Sequence, residues 1–376
     1  MKYDRLDFIM GVSRLIVPSG SIVNKRKLPI ILIIALSWTL ADFIIFLIKL
    51  SSDSFSFKYE EQDSITFKAI ILREVNVLLV SFIIGFLLVS VLKRFLRHTS
   101  PWFHFLIKTI ILILAALVMS FFIYITYEMI IGHRTFNESI QRFLNNTFQA
   151  GWIIPKIAEW GGLYILTQLA IEVNEKYSPG VFVDIMLGRY LQPKQEDRII
   201  IFIDLRNSTP IAEKLQNIDY FEFIRDFIFC ITAGIMEHDG RIYQYVGDEI
   251  VAWWPSSQSN ARKAVDSLIE SRKILNTNTD VFMRNYDIVP EYKAGIHTGP
   301  VTVGQVGISK KELVMSGNTI NTASRIRSAC TDLNQKFLVS KDIIDLLEMK
   351  DWQSESMGNA DLKGKNEDIE LFALKI

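Results

Sequence analysis

Hydrophobic positions along this chain change their rhythm near residue 172. Before it they come in long unbroken runs; after it they come in short bursts separated by turns. Residues 29–48, 75–92 and 109–127 are apolar almost throughout, the first carrying only Asp42 and the other two no charge. Each run is long enough to cross a hydrocarbon layer about 30 Å thick as a helix. A fourth run, 151–171, is interrupted by Lys156 and Glu159, which stand three apart and can pair on one helix face. The pattern predicts an all-α transmembrane domain of four helices over residues 1–171 (about 29–48, 75–92, 109–127 and 151–171).

The second half predicts a strand at 199–204, helices from about 210 to 237, a hairpin at 241–254 and a helix at 258–275. Strands near 292–306, a helix at 318–330 and smaller elements to 374 follow. This mixture predicts an α+β domain over 198–376, a mostly antiparallel sheet covered by helices on one face. The stretch Gly295 to Gly307 alternates around Thr298-Gly299-Pro300, which signals a tight hairpin turn. Between the halves, 172–197 holds Pro179-Gly180, Gly188 and Pro193 and reads as a cytosolic coupling linker.

Charge adds an orientation. Lys2, Arg5, Arg14, Lys25, Arg26 and Lys27 precede the first run, and Lys93, Arg94 and Arg97 follow the second. The loop between these two runs is acidic, with Asp53, Glu60, Glu61 and Asp63. The positive-inside rule places the N-terminus and the 93–108 loop in the cytoplasm, and four crossings return the second half there too. The first apolar run starts too late and is too long for a cleavable signal peptide. Overall, 41 basic residues balance 41 acidic ones, which argues against a nucleic-acid partner. Cys230 and Cys330 fall in predicted helices and suggest a reduced compartment without disulfides. Asp42 is either a helix-packing group or a ligand-sensing one.

Candidate chemistry begins with two aspartates that each end a strand-like run: Asp204 in Phe202-Ile203-Asp204-Leu205, and Asp248 in Val246-Gly247-Asp248-Glu249. Either alone is an ordinary turn or cap residue. Two such strand ends brought together make an oxygen-rich site for Mg²⁺ or Mn²⁺, a recurring arrangement for in-line displacement at phosphorus. Far downstream, Asn321 and Arg325 stand four apart, on one face of a helix, and suit an anionic, phosphate-like transition state. After the first aspartate, Thr209 is a candidate N-cap with Pro210 in the first helical position. A helix starting there with Ser208 and Thr209 would aim free N–H groups at phosphates.

At these residues the sequence resembles the class III nucleotidyl cyclases, the adenylate and guanylate cyclases, over 199–374. The matching stretches are Phe202 to Leu205 with Ser208-Thr209, Gly247-Asp248-Glu249, Gly295 to Val301, Gly317 to Arg325, and Leu362-Lys363-Gly364. The resemblance implies a ferredoxin-like catalytic fold that turns a nucleoside triphosphate into a 3′,5′-cyclic nucleotide and pyrophosphate. It implies two divalent cations, Mg²⁺ or Mn²⁺, at Asp204, Leu205 and Asp248, with Asn321 and Arg325 on the ribose and the reacting phosphorus. It also implies a homodimer with sites between two catalytic domains, set here at a lipid bilayer as a multi-pass cell-membrane protein. One of Lys310 and Lys311, and one of Lys363 and Lys365, would meet the triphosphate. His297 reads as structural.

The pattern departs from the family where adenylate cyclases read their base with a Lys and an Asp. Those positions hold Gln244 and Val314. Gln donates and accepts at once, so it suits the adenine edge, and equally guanine, uracil or cytosine after an amide flip. Tyr243, Tyr245, Trp253 and Trp254 either narrow the base pocket or belong to the core. ATP is the first expectation, with pyrimidine or guanylate cyclisation as alternatives. A diguanylate cyclase, or an inactive cyclase-fold receptor or scaffold, is the more distant reading.

Overall fold

The computed structural model describes Leu15 and residues 27–51, 67–92, 101–130, 132–147, 150–176, 188–308, 312–347, 354–360 and 369–376. The chain divides into two compact units whose main segments are Asn24–Val173 and Asn174–Ile376.

The first unit is helical: α1 (Lys27–Ser51), α2 (Phe67–Phe86, continued as a π-helical stretch over Leu87–Leu92), α3 (Pro101–Ile130), α4 (Phe136–Thr147) and α5 (Ala150–Lys176). Among the described residues, three segments are long and apolar enough to cross a membrane: Leu28–Ile48, Ile70–Ser90 and Thr109–Ile130. The fourth expected crossing is a helix, α5, but it is not among those three. Its Trp160 and Tyr164 pack into the same core as Trp38, Val77, Val80, Ile84 and Met119. Trp38 Nε1 also donates to Thr167 Oγ1 at 2.7 Å. The outward faces are apolar as well, with Ile33, Leu36, Leu40, Leu79, Ile83 and Leu114 all exposed. Asp42 is a packing group: Arg73 grips it with two hydrogen bonds, Nε to Oδ2 at 2.7 Å and Nη2 to Oδ1 at 2.8 Å. The expected pairing of Lys156 with Glu159 falls outside the described residues, because the Lys156 side chain is not among them.

The second unit is the α+β domain. Its elements are β1 (Lys194–Leu205), α6 (Ser208–Glu237), β2 (Arg241–Val246), β3 (Glu249–Pro255), α7 (Gln258–Thr277) and α8 (Thr279–Tyr286). Then come β4 (Tyr292–Val306), β5 (Glu312–Ser316), α9 (Asn318–Asp332), β6 (Phe337–Ser340), α10 (Lys341–Leu347), β7 (Ser354–Ala360) and β8 (Ile369–Leu374). The eight strands form one sheet in the order β2-β3-β1-β4-β6-β8-β7, with β5 paired to β4. Among the described strands only β4 and β6 run parallel. The unit β1-α6-β2-β3-α7-β4, ordered β2-β3-β1-β4, is the ferredoxin-like core.

Alternation along β1 sorts the two faces. Ile199, Ile201 and Ile203 pack with Phe223, Phe227, Leu268 and Ile343 from α6, α7 and α10. Ile200 and Phe202 face the other way, beside Trp253, Val301, Met315 and Ala323 of α9. Helices therefore cover both faces, not the single face expected. The strand spacing was right, but the face of α9 follows from which side its Ala323 and Ile326 can close, and no local pattern encodes that.

The predicted hairpin at Thr298-Gly299-Pro300 does not form. β4 runs straight through it, pairing with β1 from Lys194↔Val303 to Leu205↔Tyr292. A proline is tolerated in mid-strand because β6 covers only 294–296 and β5 only 302–306 on the other edge. Ala294 N–H donates to Lys336 on the β6 side. Two-residue alternation turns the nitrogen of Pro300 to that same side, where β4 has no neighbour, so no ladder bond is lost. The start of α6 also differs: Asn207 is the N-cap in the left-handed region (φ 56, ψ 36) without a side-chain cap, and Pro210 is the third helical residue. A proline in the first turn still costs nothing, since that N–H has no helical acceptor.

Candidate active site

Asp204 stands at the last turn of β1, and Asp248 at the two-residue turn joining β2 to β3. Because β3 pairs with β1, Ile203 opposes Ile250, and the two aspartates arrive at one end of the sheet. The two carboxylates are close enough for the charge of one to act on the other. Burial, then the Asp204 charge, pushes the Asp248 carboxyl above its ordinary value, while a hydrogen bond from Ser208 works against that rise. Glu249 is pushed up too, first by burial, with the nearby aspartates adding to it and Arg327 opposing. Two unlike devices relieve this negative crowding. Arg327 of α9 donates Nη1 to Asp204 Oδ2 at 3.1 Å and reaches Glu249 through Nη2. Lys293, directly across from Asp204 in β4, places Nζ 3.3 Å from the same Oδ2.

Asp248 Oδ2 is buried with no hydrogen-bond partner among the described residues. An unpaired buried carboxylate oxygen beside a second carboxylate suits a hard divalent cation. Among the described residues, no three His, Cys, Asp or Glu side chains cluster to hold a metal, so protein carboxylates alone supply only part of a coordination shell. Leu205 offers only its carbonyl, since its side chain is buried in the core. Beside Asp204 a hollow of about 300 Å³ is lined by Leu205, Asn207, Ser208, Thr209, Pro210 and Lys293 among others. The free N–H groups of the first turn of α6 lie at its wall, a suitable place for phosphate oxygens. A larger hollow of about 700 Å³ lies at the opposite end of β1, by Gln195, Asp197 and His297, away from these carboxylates. His297 is a buried structural residue there, with Nδ1 2.8 Å from Ser340 Oγ.

Residues 191–375 match the model of the adenylate and guanylate cyclase catalytic domain. That segment is a class III cyclase domain. The cyclase domain is 27% identical over 206 residues to adenylate cyclase 2 of Rhizobium meliloti (strain 1021), covering 54% of this chain and 57% of that protein. It is 29% identical over 198 residues to retinal guanylyl cyclase 2 of Rattus norvegicus, covering 51% of this chain but 18% of that protein. The match therefore spans little more than half of the first relative and under a fifth of the second. Among solved structures, a bacterial light-regulated adenylyl cyclase superposes with a TM-score of 0.50 at 18% identity, over 57% of this chain and 64% of that one. That likeness concerns the fold.

Not every expected site residue reaches the carboxylates. Asn321 is exposed and Arg325 half-buried, and neither bonds to Asp204 or Asp248. At 100° per residue, Arg325 points about 160° away from Arg327 around α9. Since Arg327 faces Asp204, the Asn321/Arg325 face turns away from this chain's own aspartates. Gln244 is exposed on β2 and Val314 half-buried on β5. Lys310, Lys311, Lys363 and Lys365 lie outside the described residues. Trp254 is core, its Nε1 donating to His238 carbonyl at 2.8 Å. Sequence reasoning missed Arg327 and Lys293. Arg327 sits two residues past the motif arginine, and Lys293 owes its place to the β1–β4 register alone.

Proposed function

We propose that this chain is a membrane-anchored nucleotidyl cyclase, with ATP as its first substrate, that works as a homodimer. The observation that carries the reading is the split constellation. Asp204 and Asp248 converge at one sheet end, while Asn321 and Arg325 face away from them on α9. A second copy, apposed by a twofold axis, completes each site by offering its Asn321 and Arg325 to the first copy's aspartates. Bound Mg²⁺ or Mn²⁺ would supply charge neutralisation at the phosphates and acidify the ribose 3′-hydroxyl. Asp204, Asp248 and the Leu205 carbonyl would hold those ions.

The protein groups do the remaining positioning. First-turn N–H groups at Ser208 and Thr209 receive terminal phosphate oxygens. Asn321 orients the ribose, and the Arg325 guanidinium takes up charge that grows on the α-phosphoryl oxygens as the 3′-oxygen attacks in line. Gln244 meets the base edge beside Val314, and its donor and acceptor fit N1 and N6 of adenine. Apolar outward faces on α1, α2 and α3 fit a lipid environment. With α5 as a fourth crossing, the basic N-terminal segment and the cyclase domain both lie in the cytoplasm, where nucleoside triphosphates are.

The test is direct. Full-length protein in membranes, given equimolar ATP, GTP, CTP and UTP with Mn²⁺, should yield cyclic AMP as the main product by mass. Asp204→Ala and Asp248→Ala should each remove turnover by at least about a thousandfold with the thermal midpoint retained. Cyclic UMP or CMP as the main product would overturn the adenylate assignment, and an active Asp204→Ala protein would overturn the metal site.

A further inference from the structure

The two base-facing positions sit on strands that share no hydrogen-bonded ladder. Gln244 is on β2, at one edge of the sheet, while Val314 is on β5, which pairs only with β4. β3 and β1 intervene between β2 and β4. Side chains that bridge across the sheet face must therefore set the distance between Gln244 and Val314.

Two such bridges meet at Met315. The register of β2 shifts between Ile242 and Gln244, which leaves Tyr243 at an irregularity. Such a bulge re-aims a side chain, and Tyr243 Oη accepts a hydrogen bond from the Met315 backbone N–H at 3.0 Å. Beneath this contact lies Arg198 of β1, only 1% exposed. Its guanidinium stacks on Trp253 of β3, 3.6 Å from the ring centroid. Nη1 points at Met315 Sδ at 2.9 Å, and Nη2 donates to Glu196 Oε2 at 2.7 Å and Tyr190 Oη at 3.3 Å. A buried guanidinium is costly unless well paired, and here Nε has no hydrogen-bond partner among the described residues. A methionine of similar length would fill this volume without the cost. What the charged group adds is a rigid planar plate that links β1, β3 and β5 at fixed spacing.

We infer that Arg198 is a positioning residue for base recognition. By clamping Met315 against Trp253 it fixes the gap between Gln244 and Val314, and with it nucleotide affinity and selectivity. The inference rests on the proposed cyclase function. Arg198 touches no reacting atom, so its loss should act on KM and base choice and spare the chemical step.

The experiment uses full-length protein and reads two things: steady-state kinetics with each nucleoside triphosphate and Mn²⁺, and binding of N-methylanthraniloyl ATP by fluorescence. Arg198→Met should raise KM and the probe's dissociation constant about tenfold, keep kcat within about threefold, and flatten the product ratio among the four bases. Tyr243→Phe, which removes only the acceptor oxygen, should move the same quantities about threefold, and it decides the matter if Arg198→Met fails to fold. Arg198→Lys should not restore selectivity, since it lacks the stacking plane. Unchanged KM, probe binding and product ratio in a folded Arg198→Met protein would overturn the inference, as would a fall in kcat alone. A wild-type protein that binds the probe but makes no cyclic nucleotide would instead overturn the function on which it rests.

Discussion

Arg327 shows how one residue can govern a charged site. Asp204, Asp248 and Glu249 crowd one corner, and Arg327 with Lys293 offsets two of the three charges. Burial first, and then like charges this close, raise the cost of ionising each carboxyl, which is why Asp248 and Glu249 both titrate above their ordinary values. Removing Arg327 leaves Lys293 as the one described cation at Asp204, so the carboxylates repel more strongly and a divalent cation gains counter-charge work there. Arg327→Gln should therefore lower the thermal midpoint without metal by a few degrees and widen the upward shift caused by Mn²⁺. Thermal unfolding with and without Mn²⁺, nucleotide absent, measures both. A Mn²⁺-induced shift equal to or smaller than the wild-type one would contradict this charge balance. The aspartates themselves were legible as strand-ending acids. Their cationic partners were not, because Lys293 and Arg327 acquire meaning only from strand register and helix phase.

At the scale of elements, the contact between β4 and α9 places the helix that carries Asn321 and Arg325. Gly295 is the point of closest approach: a Cβ there would lie 2.2 Å from the Arg327 nitrogen and 2.8 Å from the Ala323 carbonyl oxygen. These are backbone atoms of α9, so no rotamer change relieves the clash. Gly295→Ala should push α9 off the sheet, cost about 1–3 kcal/mol of stability, and displace Arg325 enough to reduce turnover at least tenfold. Denaturant unfolding and cyclase assays read the two effects, and a variant with wild-type stability would refute the packing argument. The same elements mark where local reading stopped. Thr298-Gly299-Pro300 carries genuine turn chemistry, yet the pairing of β4 with β1 from Tyr292 to Val303 outweighs three residues of turn preference. Asn207, in place of Thr209, starts α6 because Asn accepts the left-handed conformation that the exit from β1 requires.

For the whole molecule, the proposed homodimer makes the split between the aspartates and the Asn321/Arg325 face a testable matter of assembly. Mixing inactive Asp204→Ala with inactive Asn321→Ala protein should restore activity, because a mixed dimer carries one site built from two intact contributions. At equal expression, random pairing makes half of the dimers mixed, each with one good site of two, so recovery should approach about a quarter of wild-type activity. Co-expression with distinct tags, isolation of the mixed dimer and a product assay would check it. No recovery in isolated mixed dimers would mean that one chain holds a complete site.

The sequence by itself determined the two-part organisation, the apolar runs, the strand ends at Asp204 and Asp248, and the Asn321–Arg325 spacing. Each is a local regularity: run length, two-residue alternation, or a four-residue helical step. The tertiary structure alone decided that Arg73 pairs with Asp42, that α9 covers the face opposite α6, and that β4 stays straight through Pro300. It alone placed Arg327 against Asp204, Lys293 across from it, and Arg198 between Trp253 and Met315. Those outcomes depend on contacts between residues from 31 to 123 positions apart. Such contacts are set by sheet order and by which helix face closes against it, quantities that no short window of sequence contains.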